Sequence, residues 1–223
     1  MISVAIDGPA GAGKSSISRI AAKKLGFIYV DTGALYRAVG LKFALSGADT
    51  SLDCDIDGIL SETAVDIRFV NGEQRVFLDG EDVSDKIRTP KASMMASAVS
   101  ARPQVRAFLL EMQRKLAREN NVIMDGRDIG TVVLPDANVK IYLTASAEIR
   151  AERRLKELLE KGQQVTYEEV YRDMVKRDYD DMHREIAPLK KAEDAVTADT
   201  SALDFDESVE LILEIVKRET EKE

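Results

Sequence analysis

A lysine followed by a hydroxyl residue, reached through glycines at fixed spacing, is chemistry aimed at phosphate. Gly8-Pro9-Ala10-Gly11-Ala12-Gly13-Lys14-Ser15 fits G-x-x-x-x-G-K-[ST] at every fixed position, and Ser16 follows directly. Glycines let backbone N–H groups turn inward around an anion, and a helix N-terminus adds positive potential. In such a loop Lys14 reaches the β- and γ-phosphates of a nucleoside triphosphate, and the Ser15 hydroxyl sits on Mg²⁺. A glycine-rich turn with no ligand is the competing explanation. The complete pattern, with its lysine and hydroxyl, argues against it.

Two further polar clusters follow short apolar runs. Asp31, Thr32, Tyr36 and Arg37 come after Phe27–Val30, and Asp125-Gly126-Arg127-Asp128 comes after Val122–Met124. In α/β sheets ligands gather beyond the carboxyl ends of strands, so both clusters are candidates for a second ligand beside the loop. Arginine recurs in them and again in a charged stretch with Arg177 and Arg184. Guanidinium forks bind phosphate bidentately and stay charged. Arginines on a charged helix are more often a solvated face, and that applies to most of those between 146 and 188. No Asn-Lys dipeptide occurs, which argues against a guanine-reading switch, and the one histidine, His183, sits in a charged helical stretch. Arginines around a triphosphate loop suit phosphoryl transfer to an acceptor that is itself a phosphate. Such an acceptor is already anionic and needs no general base, so alignment and charge neutralisation carry the reaction.

The elements that must position these groups are legible as periodicity. Residues 2–6, 27–30, 122–124, 139–143 and 195–199 are apolar runs of strand length. Helical spacing links Ile17, Ile20, Ala21 and Leu25, then Leu35, Val39 and Phe43, then residues from Pro90 onward. A helix restarts at Pro103 and stops at Asn120-Asn121, and Val209–Val216 forms a closing helix with a solvated, frayed tail from Lys217. Leu52–Ala64 is a weak helical pattern broken by aspartates and Gly58. Val65–Val70 alternates strictly, Asn71-Gly72 signals a hairpin, and Arg75–Leu78 answers it before a second turn at Asp79-Gly80. The expectation is one α/β domain over 1–223 with a mostly parallel five-stranded central sheet. Its core covers about 1–47, 91–145 and 189–223, with a small antiparallel β insert over about 48–90 and an Arg-rich helical lid over about 146–188.

The composition limits the partners. A net charge of −8 disfavours nonspecific nucleic-acid or membrane-surface binding, so positive charge for an anionic substrate must be concentrated locally. A single cysteine, Cys54, excludes an intramolecular disulfide and fits a reducing compartment. No signal peptide or long apolar span is present, and a cytoplasmic monomer handling small nucleotides, with no nucleic acid or membrane, is expected.

The chain resembles the bacterial cytidylate kinases of the nucleoside monophosphate kinase group over essentially its whole length. The likeness rests on GPAGAGKSS, DTGALYR (31–37), GEDVSDKIRT (80–89), MDGRDIGTVVLPDA (124–137) and RDYDDMHREIAPL (177–189). It implies a three-layer P-loop fold, ATP and Mg²⁺, and transfer of the γ-phosphoryl group to CMP or dCMP. By this resemblance Thr32, Arg106, Asp128 and Arg184 read the cytosine, and Ser97 and Asp181 hold the sugar with Arg177. Arg37, Arg88, Arg127 and Arg177 hold the acceptor phosphate, and Lys14, Arg127, Arg177 and one lid arginine among Arg150, Arg153 and Arg154 serve catalysis. Arg153 is the one selected. Thr32 stands where relatives often have serine, keeping the hydroxyl but adding a methyl. The chemistry of the base agrees: cytosine offers an amine donor beside acceptors, which a carboxylate such as Asp128 and an arginine such as Arg106 complement. Asp125 is open between orienting Mg²⁺-bound water and capping its turn.

Overall fold

The computed structural model describes residues 1–47 and 54–221. Five strands form one sheet: β1 (Ser3–Asp7), β2 (Ile28–Asp31), β6 (Val122–Gly126), β7 (Val139–Thr144) and β8 (Val196–Asp199), in the order β2-β6-β1-β7-β8. Every pairing is parallel, so the expected mostly parallel sheet is wholly so. Parallel sheets are covered on both faces, which explains why these strands are nearly continuous apolar runs. Val4, Ala5, Ile6, Ile123, Met124 and Leu143 are completely buried.

Helices α1 (Lys14–Leu25) and α8 (Phe205–Thr220) pack with Ile17, Ala21, Ile212 and Val216 against Ile6, Ile123 and Ile141. A second core joins α2 (Thr32–Leu45), α3 (Ile56–Ser61), α4 (Pro90–Ser100) and α5 (Pro103–Glu119) around Leu35, Phe43, Ile87 and Leu109. Helix α8 continues through the expected frayed segment to Thr220, whose hydroxyl bonds back to the Val216 carbonyl at 2.8 Å. Residues 222–223 lie outside the described residues.

Strands β3 (Val65–Val70), β4 (Glu73–Leu78) and β5 (Glu81–Asp82) form a separate antiparallel sheet. Asn71 and Gly72 both have positive φ, as a tight hairpin turn requires. The weak helical pattern resolves into the short α3. Asp55, one of the aspartates that interrupt the helical pattern, is its N-cap and accepts the Gly58 N–H at 2.9 Å. The part of that pattern over residues 52–53 lies outside the described residues. Helices α6 (Ala147–Glu160) and α7 (Tyr167–His183) pair through Ala151, Leu158 and Val170, and α7 opens with a Thr166/Glu169 capping box.

Register builds the site. Asp7 lies opposite Gly126, and Asp31 opposite Asp125, so β1, β2 and β6 deliver their carboxyl ends to one edge of the sheet. The glycine loop and both polar clusters therefore meet.

Candidate functional site

The loop starts where β1 runs out of room. Gly8 has φ of +151°, and a Cβ there would lie 1.9 Å from the Leu143 carbonyl oxygen in β7, so only glycine fits. Lys14 is the first residue of α1, and its buried ammonium donates to the Gly8 and Pro9 carbonyls, each at 2.8 Å. Burial, and then the nearby Arg127 cation, bring its pKa down to about 7. Asp7 fixes the loop's base from the other side. Its carboxylate accepts the Ile129 and Gly130 N–H groups at 2.8 and 2.7 Å, in a short π-helical turn over Ile129–Val133. Burial raises the Asp7 pKa to about 6 despite those bonds.

Ser15 Oγ donates to Asp125 Oδ2 at 2.9 Å. Burial, with the Asp31 charge nearby, raises the Asp125 pKa to about 6. A hydroxyl and a carboxylate are hard oxygen donors of the kind Mg²⁺ takes, one or two from protein with phosphates and waters completing the shell. Ser15 and Asp125 thus fit the ion. Among the described residues no cluster of three or more His, Cys, Asp or Glu side chains is placed to hold a metal alone.

Facing the loop is a set of arginine–carboxylate pairs. Asp31 N-caps α2 by accepting the Ala34 N–H at 3.0 Å, and its other oxygen pairs with Arg37 at 2.7 Å. Asp128 is shared by Arg106, which it contacts directly, and Arg184 at 3.3 Å. Burial pushes the Asp128 pKa up against the pull of both cations. The Arg106 guanidinium also lies 5.7 Å from the centre of the Tyr36 ring. Arg127 Nε donates to Asp181 Oδ2 at 2.8 Å, and Thr32 Oγ1 donates to the Asp125 carbonyl at 2.8 Å.

These groups line one cavity of about 280 Å³. Ala10–Ser16 form one wall. Thr32, Tyr36, Arg37, Ser97, Arg106, Arg127, Asp128, Arg177, Asp181 and Arg184 form the others. Six cationic side chains line it against four carboxylates, so positive charge is concentrated there within a negatively charged chain. Gly8 and Pro9 lie outside the lining and act through the carbonyls that hold Lys14. Arg88 lines a smaller neighbouring cavity of about 40 Å³, which Arg37 and Asp31 also border.

The three arginines of α6 are placed differently. Arg153 donates to the Thr200 carbonyl at 2.7 Å, the Thr200 hydroxyl at 3.2 Å and the Leu203 carbonyl at 3.4 Å, away from the cavity. Arg150 is the one turned to the loop, bonding the Ala10 carbonyl at 2.9 Å and Asp178 at 2.6 Å. Arg154 pairs with Glu157. His183 is exposed, stacked on Tyr179 and bonded to its carbonyl. Sequence reasoning missed Ser93, Ala96 and Ser100, which line the cavity beside Ser97. Their signal is a stripe of small residues at helical spacing on α4, leaving room for a ligand instead of filling it.

The comparisons follow the same lines. The family model described as Cytidylate kinase matches residues 4–218. A cytidylate kinase from Carboxydothermus hydrogenoformans is 52% identical over 220 residues, covering 98% of each chain. One from Caldicellulosiruptor saccharolyticus is 52% identical over 214 residues, covering 96% of this chain and 95% of its own. The solved structure of a gluconokinase from Sinorhizobium meliloti shares the fold at a TM-score of 0.51 and 14% identity, covering 99% of this chain and 94% of that one. No helix among the described residues is long and apolar enough to cross a membrane. With the phosphate loop, the arginine-lined cavity and full-length relatives in agreement, this chain belongs to the cytidylate kinase family.

Proposed function

We propose that this enzyme transfers the γ-phosphoryl group of ATP to CMP or dCMP, giving ADP and CDP or dCDP. The carrying observation is Asp128, fixed between Arg106 and Arg184 across the cavity from the Lys14 loop. Cytosine's exocyclic amine donates to Asp128, and Arg106 serves the ring acceptors. Uracil turns an oxygen toward that carboxylate and leaves buried polar groups unpaired, which is a strong basis for rejection. Ser97 and Asp181 hold the sugar with Arg177, while Arg37, Arg88, Arg127 and Arg177 take the acceptor phosphate. Arg88 reaches it by inward movement of the segment that carries it.

The donor's phosphates replace the Gly8 and Pro9 carbonyls as partners of Lys14, and the loop N–H groups cradle them. Ser15, with Asp125 behind it, would hold Mg²⁺, which when bound would supply charge neutralisation of the phosphate oxygens. Lys14, Arg127 and Arg177 neutralise the charge spread over the transferring group, and the acceptor's own phosphate oxygen attacks in line. We assign 1–47, 91–145 and 189–223 to the core, about 48–90 to an acceptor-side insert, and about 146–188 to a lid that excludes water on closing. The enzyme acts as a cytoplasmic monomer in pyrimidine nucleotide metabolism.

A coupled ADP-release assay across CMP, dCMP, UMP and AMP tests this. Turnover with CMP or dCMP far above UMP and AMP is expected. Preference for UMP or AMP overturns the substrate, and tight ATP binding with no acceptor-dependent ADP overturns the activity.

A further inference from the structure

We propose that Tyr29 is a positioning residue of the phosphoryl-transfer site, its hydroxyl locking the Asp125 carboxylate so that Ser15 is presented to the divalent cation. Tyr29 lies within β2 and is 7% exposed, packed in the core with Ile17 and Ile123. Tyr29 pairs with Ile123, so its side chain shares a face of the sheet with Asp125 two residues further along β6, and its hydroxyl donates to Asp125 Oδ1 at 2.8 Å. Ser15 Oγ occupies Oδ2 at 2.9 Å, and Thr32 Oγ1 holds the Asp125 main-chain carbonyl at 2.8 Å.

Each contact has a separate consequence. Because the Ser15 proton goes to Asp125, the lone pairs of Oγ are left for the cation. That holds only while Oδ2 keeps its orientation, and a carboxylate bonded at one oxygen alone is free to rotate. Asp31 lies opposite Asp125 in the register between β2 and β6 and repels it. The Tyr29 hydroxyl opposes that repulsion with a charge-assisted hydrogen bond. The Arg19 guanidinium, 5.7 Å from the centre of the Tyr29 ring, faces the ring rather than the hydroxyl. Partners that orient a metal's protein ligands typically change metal affinity by about 10–100-fold when removed.

This rests on the reading that Ser15 and Asp125 serve Mg²⁺. Mn²⁺ is the probe, followed by electron paramagnetic resonance on the full-length enzyme with a nonhydrolysable ATP analogue. Tyr29→Phe is expected to weaken Mn²⁺ binding about tenfold while affinity for the metal-free analogue stays within twofold. Wild-type Mn²⁺ affinity in Tyr29→Phe, with weakened binding in Asp125→Asn and Ser15→Ala, overturns the role of Tyr29 and leaves the cation reading standing. Unchanged affinity in Asp125→Asn and Ser15→Ala overturns both. Should Tyr29→Phe not fold, wild-type protein with ¹³Cζ-labelled tyrosine decides the matter. The Tyr29 resonance is expected to shift when Mg²⁺ joins the analogue complex, and an unmoved resonance overturns the proposal.

Discussion

The carboxamide of Gln74 brackets the backbone of Asp31, accepting its N–H at 2.7 Å and donating to its carbonyl at 3.3 Å. Strand β2 is an edge of the parallel sheet, and β4 belongs to the antiparallel one, so this side chain ties the two sheets together. Asp31 in turn caps α2 and holds Arg37. Gln74→Leu is therefore expected to lower stability by about 1 kcal/mol and to raise KM for CMP several-fold, with a smaller change in KM for ATP. Steady-state kinetics with each substrate varied in turn separate the two. An effect confined to ATP contradicts the linkage.

Gly8→Ala tests the base of the loop. Its Cβ meets the β7 backbone, which cannot swing aside as a side chain can, at a φ that disfavours any other residue. Loss of more than about 3 kcal/mol in urea unfolding, together with loss of ATP binding, is expected. A stable variant that binds ATP normally contradicts the packing.

Asp7 gives a pH dependence of defined sign. Its folded pKa, raised to about 6, exceeds the ordinary 3.8, so between those values the folded state holds more proton than the unfolded chain. Its contribution to stability is fully present below about pH 3.8 and is lost as pH rises through about 6. The slope from one such proton is at most about 1.4 kcal/mol per pH unit. Asp125 titrates in the same window, so Asp7→Asn should reduce the slope between pH 4 and 6 without abolishing it. Unfolding midpoints at half-unit pH steps measure this, and an unchanged slope removes Asp7 from the account.

Arg153 separates bracing from catalysis. Arg153→Met removes donors to two carbonyls and a hydroxyl, so it should lower stability by about 1–3 kcal/mol and leave KM for ATP near wild type. A tenfold fall in kcat with undiminished stability returns this arginine to the phosphates.

Asp128→Ala leaves Arg106 and Arg184 without their shared carboxylate in a buried setting. A stability loss of about 3–5 kcal/mol and collapse of the CMP-over-UMP preference are expected together. Retained preference in the folded variant removes Asp128 from base reading.

The sequence by itself determined the phosphate loop, the five strands, the hairpin and the polar clusters at strand ends. All of these are local, written as residue periodicity and glycine or hydroxyl positions within a few residues of one another. Tertiary structure decided which side chains meet. The Gln74–Asp31 contact spans 43 residues and Tyr29–Asp125 spans 96, and nothing near either partner announces the other. Arg150 and Arg153, three positions apart on one helix, both looked available. The packing of α6 turned Arg150 to the Ala10 carbonyl and Arg153 to Thr200. Helical period fixes the angle between two residues, but only docking against neighbours fixes which of them faces the site.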